Sequence, residues 1–226
     1  MDVPVDAASL DEAITFTYYG GTAAVTVNGL LHTVAEDDGT NFDPGFITLA
    51  KAIWNYGAQA KAVVTGEPAS SLYEGLTYTE PASVFSFRPS DVAQVKFKAA
   101  NRYLKDRICI QIYMKFESQD DAAKTAFSPD GGATALSPDA CSLTLLDTAV
   151  PGLDANAVFS LYLNADQMKE TYSVTAVYDG TPADSFTTGV ATFCKIYMDS
   201  DTNGPVYGDL CRAILAYADA CAACFN

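Results

Sequence analysis

Apolar positions recur along this chain with two different periods, and the change between them marks its organisation. Val27, Leu30, Leu31 and Val34 run i, i+3, i+4, i+7, the spacing of one helix face. Val190, Phe193, Cys194 and Tyr197 repeat that quartet at an offset of 163. The spacing predicts two short helices, Val27–Ala35 and Val190–Met198. A longer helical pattern follows each: Phe42 to Ala60, FDPGFITLAKAIWNYGAQA, and Asn203 to Cys221, NGPVYGDLCRAILAYADAC. At a constant offset of 161, Pro44, Leu49, Ala52, Ile53 and Tyr56 meet Pro205, Leu210, Ala213, Ile214 and Tyr217, and Lys51 meets Arg212. Upstream, Tyr19, Gly21 and Thr22 match Tyr178, Gly180 and Thr181 at offset 159. Each copy thus predicts strand, turn, short helix, acidic linker, long helix. Asp43 before Pro44 and Gly204 before Pro205 put proline at the first position of each long helix, where its missing N–H costs nothing. In the first long helix Phe46, Leu49, Ile53, Tyr56 and Ala60 form the apolar side.

Between the copies the period falls to two. Residues 91–99, DVAQVKFKA, alternate, and Ile108 to Phe116, ICIQIYMKF, alternates for nine residues, with Asn101 to Asp106 as the turn. Cys141–Leu146 and Val158–Leu163 read as further strands separated by a Pro-Gly loop at Asp147–Asn156. Ser128–Asp139, with two Ser-Pro-Asp triplets, reads as loop, and residues 66–71 as a linker. The expected fold is therefore α+β, with antiparallel β-sheet units and two homologous C-terminal helical hairpins. Residues 1–66 give the C-terminal half of a repeat unit, and residues 67–226 a full unit, strands first and hairpin last.

The stretch Ile53, Trp54, Asn55, Tyr56, Gly57, Ala58, Gln59 and Ala60 carries a resemblance, and Ile214 to Cys221, ILAYADAC, is a degenerate version of it. It resembles the helical signature LLNYGAAAQ of a repeat domain in large exported proteins of anaerobic gut Firmicutes. The resemblance covers the two helical hairpins, with a looser match over the strands between. It implies an exported, modular, non-catalytic surface protein. Immunoglobulin-binding surface proteins of gut commensals are built from domains of similar type, but the resemblance names no ligand and matches no binding residue onto this chain.

Composition narrows the partners. Thirteen Lys and Arg against 28 Asp and Glu give a net charge of −15, which repels nucleic acid and anionic lipid. No apolar run approaches a membrane span, so no membrane insertion is expected. Residues 1–13 show neither a basic n-region nor an apolar h-region, so no signal peptide is visible; the resemblance nevertheless implies an extracellular or cell-surface location within a larger protein. The six cysteines leave three readings open: small core thiols, one or two disulfides, or a metal or redox site at Cys221 and Cys224.

Catalytic motifs are few. The chain has no G-x-S-x-G, H-E-x-x-H or phosphate-loop motif, and its single histidine, His32, sits on a helical stripe and reads as a helix-surface residue. The expectation is that this is not an enzyme. A carboxylate-dependent hydrolase stays as an alternative because paired acids alone can hydrolyse glycosides. One acidic motif is sharper. Asp199, Asp201 and Asn203, followed by Gly204, open like a calcium loop, although Leu210 stands where a bidentate Glu belongs. The other reading is an acidic helix connector. No cofactor is expected apart from that calcium option.

The leading expectation is a binding module that recognises a host or matrix protein, such as an immunoglobulin, through a strand edge or an exposed helix face. Ile110, Gln111, Ile112 and Tyr113 in the long alternating strand are candidate contacts, together with Tyr18 and Tyr19. The alternative is a carbohydrate-binding module with paired aromatics, Tyr18 with Tyr19 or Tyr73 with Tyr78. Trp54 reads either as core or as a ligand-stacking aromatic.

Overall fold

A computed structural model describes residues 5–18, 21–104, 108–129 and 140–225. The chain is α+β. Among the described residues it has ten strands, paired antiparallel throughout, and five α-helices. No described helix is long and apolar enough to cross a membrane.

A 3-10 turn at Ala7–Ser9 leads into the hairpin β1 (Ile14–Tyr18) and β2 (Gly21–Val25). α1 (Val27–Ala35) follows at once, capped by Thr26, whose hydroxyl accepts the Gly29 N–H at 2.8 Å. The linker before the next helix is organised by Asp37, which accepts the backbone N–H groups of Gly39, Asn41 and Phe42. α2 (Pro44–Thr65) starts on the Asp43 cap, with proline in its first turn, and stops at Gly66, which adopts φ 75°.

Eight strands and a short helix follow: β3 (Ser86–Arg88), β4 (Val95–Leu104), β5 (Ile108–Phe116), α3 (Gln119–Ala123), β6 (Thr125–Ser128), β7 (Cys141–Val150), β8 (Ala155–Leu163), β9 (Tyr172–Tyr178) and β10 (Thr181–Thr188), with a second 3-10 turn at Ala165–Gln167. α4 (Val190–Met198) and α5 (Gly204–Phe225) close the chain. The periodicity-predicted helices at Val27–Ala35 and Val190–Met198 are both present. The strands run longer than expected. β4 continues through Asn101–Leu104, where a turn was expected, because those residues stay paired with Ile108–Gln111. The Asp147–Asn156 loop shrinks to Pro151–Asp154, where Gly152 and Asp154 adopt φ 81° and 49° and let β7 and β8 pair up to Val150 and Ala155. Of the Ser128–Asp139 loop, residues 130–139 lie outside the described residues.

Compactness divides the chain elsewhere than at residue 66. One unit comprises Met1–Glu80, Ala165–Gln167 and Cys194–Asn226; the other comprises Pro81–Asn164 and Met168–Phe193. In the first unit α2 and α5 run antiparallel. Phe46 meets Phe225 edge-on, Tyr56 stacks on Tyr217, and Leu49, Ala52, Ala220 and Cys221 are buried between them. Small residues at this contact allow the helices to approach. Gly57 does the same for the N-terminal turn, since a Cβ there would lie 2.4 Å from Leu10 Cδ1. A strap, residues 66–80, crosses the pair. Trp54 Nε1 donates to Ser71 O, and the Asn55 amide both donates to Tyr73 O (2.8 Å) and accepts the Tyr73 N–H (2.9 Å). Leu76 packs into the helix core, and the Thr79 N–H donates to the Asp219 carboxylate.

The second unit is a sandwich of two four-stranded sheets, ordered β3-β10-β9-β6 and β4-β5-β8-β7. Phe127 of β6 stacks on Phe159 of β8 at 4.1 Å across the core. Asp184 of β10, buried, accepts the Ser90 and Phe97 N–H groups and pairs with Lys96 at 3.5 Å, which satisfies a charge that burial would otherwise penalise.

Candidate functional site

The structure removes the strand candidate first. β5 lies between β4 and β8 and is paired on both sides, so it has no free edge to offer a partner. Ile110 and Ile112 are 1% and 0% exposed and belong to the sandwich core; Gln111 and Tyr113, on the other face, are half-buried. Alternation reveals that a strand has a buried face, not whether it is central or at an edge. Tyr18 pairs with Gly21 at the end of β1, and Tyr19 lies outside the described residues.

The free edges are elsewhere. Among the described residues β1 and β2 pair only with each other, and Thr15, Thr17 and Thr22 to Val25 are exposed. Their sequence-matched counterparts, β9 and β10, are the inner strands of a four-stranded sheet, flanked by β6 and β3. The matched helices differ in the same sense. Val190, Phe193 and Cys194 of α4 are buried, Phe193 at 7% exposure, whereas Leu30, which aligns with Phe193, is 58% exposed, and Val27 and Leu31 are half-buried. A two-stranded sheet beside a bare apolar helix position offers main-chain donors and acceptors together with an apolar contact.

A second concentration of chemistry lies around Trp54, which is half-buried. His32 and Tyr73 both have ring centroids 5.8 Å from it, and His32 Nδ1 is 3.0 Å from the Tyr73 hydroxyl. Burial, and secondarily the Glu36 carboxylate, pushes the Tyr73 hydroxyl up to about 12. Tyr73 is thus engaged by Trp54 and His32, and its contact with Trp54 is edge-on at 75° rather than coplanar. Tyr78 lines a separate hollow between the strap, α2 and α5.

The acidic connector is held by the protein's own groups. Asp199 accepts Lys195 Nζ at 3.0 Å, which raises the ammonium pKa, and the Asn203 N–H donates to Ser200 Oγ. Asp201 is exposed, and among the described residues no three His, Cys, Asp or Glu side chains converge as a metal would require. No disulfide joins any of the six cysteines. Burial pushes the Cys221 thiol up, away from the thiolate that redox chemistry uses.

No family model matches the chain, and neither the curated proteins nor the solved structures show a match to it.

Proposed function

We propose that this chain is a non-catalytic binding module of a bacterial cell-surface or secreted protein, and that it recognises a host or matrix protein of immunoglobulin type. On this reading β1-β2-α1-α2 and β9-β10-α4-α5 are homologous halves, each ending in a helical hairpin. The observation that supports it is the difference between them. In the second half, β3 and β6 flank the β10-β9 pair and Val190, Phe193 and Cys194 of α4 are buried; in the first, β1 and β2 pair only with each other among the described residues and Leu30 is exposed. A partner built of antiparallel strands fits that deficit, because it can extend the sheet by main-chain hydrogen bonds while an apolar side chain rests on Leu30. Threonine-rich edges beside one apolar position suit a neutral surface, and neutrality matters for a module of charge −15.

The test is biolayer interferometry of the chain against pooled secretory immunoglobulin. Binding that weakens at least about tenfold in Leu30→Lys supports the reading, since a residue this exposed can change without loss of the fold. No binding by the unaltered chain, or equal binding by Leu30→Lys, overturns it.

A further inference from the structure

Two exposed aromatics stand at one edge of the sandwich in the second unit. β3 ends its sheet and, among the described residues, pairs only with β10, through Ser86, Phe87 and Arg88. All three residues are exposed, and the outer side of the strand carries main-chain N–H and C=O groups that no strand pairs. Phe87 lies opposite Phe186 in register, and Phe85 meets the Phe186 ring edge-on at 5.1 Å. Phe85 and Phe87 nevertheless remain 55% and 44% exposed. With Phe186, and with Phe97 and Lys98 of β4, they line a half-open hollow of about 170 Å³. Small-molecule sites are larger, whereas an apolar cavity of about 150 Å³ admits one benzene ring. The hollow therefore has room for one large side chain.

The charge here is opposite to that of the chain as a whole. β3 and β4 carry Arg88, Lys96, Lys98 and Arg102 and no acid, within a chain of net charge −15. Asp91, in the loop between them, is the one acid from Arg88 to Leu104. Lys96 is matched by the buried Asp184, while Lys98 and Lys115 share a single carboxylate, Asp154, at 3.6 and 2.9 Å. Arg88 has no ion-pair partner among the described residues. Strand alternation puts Ser86 and Arg88 on the face away from Phe87. A strand laid along β3 thus sets one side chain against the hollow and its immediate neighbours against Ser86 and Arg88.

We propose that β3 receives, as an added strand, an extended segment of a partner protein with one large apolar side chain flanked by acidic residues. The apolar side chain fills the hollow, the main chain pairs with β3, and a flanking carboxylate faces the Arg88 guanidinium, which can hold it bidentately. A basic segment is repelled at Arg88, and a segment without the large side chain leaves the phenyl rings in water. This surface is separate from the β1–β2 docking surface and stands whether or not that reading does.

The full chain is titrated by proton–nitrogen NMR with three blocked pentapeptides, TEFET, TKFKT and TEGET. TEFET is expected to saturate with Kd on the order of 1 mM, with shifts concentrated in β3, β4 and β10, and the other two to bind at least about tenfold more weakly. Phe87→Ser should weaken TEFET about tenfold, and Arg88→Glu should reverse the ranking of TEFET and TKFKT. Both positions are exposed, so both variants are expected to keep the fold, which circular dichroism and melting verify. The proposal is overturned if TEFET fails to saturate, if TKFKT or TEGET binds as tightly, or if the ranking survives Arg88→Glu. It is equally overturned if dilution shows the unaltered chain self-associating and Phe87→Ser not, which would make a second copy the occupant.

Discussion

Tyr56 and Tyr217 stand 161 residues apart and stack on one another, with centroids separated by 5.6 Å and planes inclined at 18°. They are also the positions that the internal repeat sets equivalent. The stack joins α2 to α5 at two positions that the sequence comparison of the two segments places opposite each other.

A double-mutant cycle of Tyr56→Leu and Tyr217→Leu, read by urea unfolding, is expected to give a coupling energy of about 0.5–1.5 kcal/mol, the range for aromatic pairs. Additive losses would show that each ring packs independently.

Alkali tests the same ring differently. Burial, followed by the charges of Cys221 and Asp166, pushes the Tyr217 hydroxyl up to about 12, and Tyr73 is raised to a similar value. Between the ordinary tyrosine value of 10.0 and about 12, the unfolded chain has lost the proton that the folded chain retains. The stabilisation is therefore fully present below pH 10 and lost as pH rises to 12. Tyr217→Phe is expected to flatten the fall in stability across this window; an unchanged slope in alkaline melting curves would contradict the assignment.

Gly57 allows the N-terminal turn to close on α2. Gly57→Ala places a methyl against Leu10 Cδ1 and 3.0 Å from Ala7 O, so it should destabilise by about 1–3 kcal/mol despite the helix propensity of alanine. Combining it with Leu10→Ala should cost less than the sum of the two single changes.

The Asp199 connector gives a further test. Lys195 already faces Asp199, so melting temperatures in calcium and in chelator are expected to coincide. A drop on chelation that Asp201→Ala abolishes would instead assign an ion to Asp199, Asp201 and Asn203.

Much of the helical architecture was legible in the residues. The quartets at Val27 and Val190, and proline after Asp43 and Gly204, mark both short helices and both long ones because capping and face periodicity are local. Sheet order was not legible. Ile110 and Ile112 alternate as any half-buried strand would, and only the pairing of β5 with β4 and β8 shows them to be interior. The hollow beside Trp54 was equally hidden, since Asp11, Asn28 and Lys61 line it from separate stretches of the chain with no common motif. Trp54 alone carried a signal, as an aromatic with two open readings.

On the proposed function, the β1–β2 hairpin and the Leu30 face of α1 form the docking surface. Hydrogen–deuterium exchange of the full chain, alone and with pooled secretory immunoglobulin, tests it most directly. Slowed exchange is expected to concentrate in residues 14–18 and 21–35, with β5 unchanged. Protection confined to other segments, or none at all under saturating immunoglobulin, would contradict it.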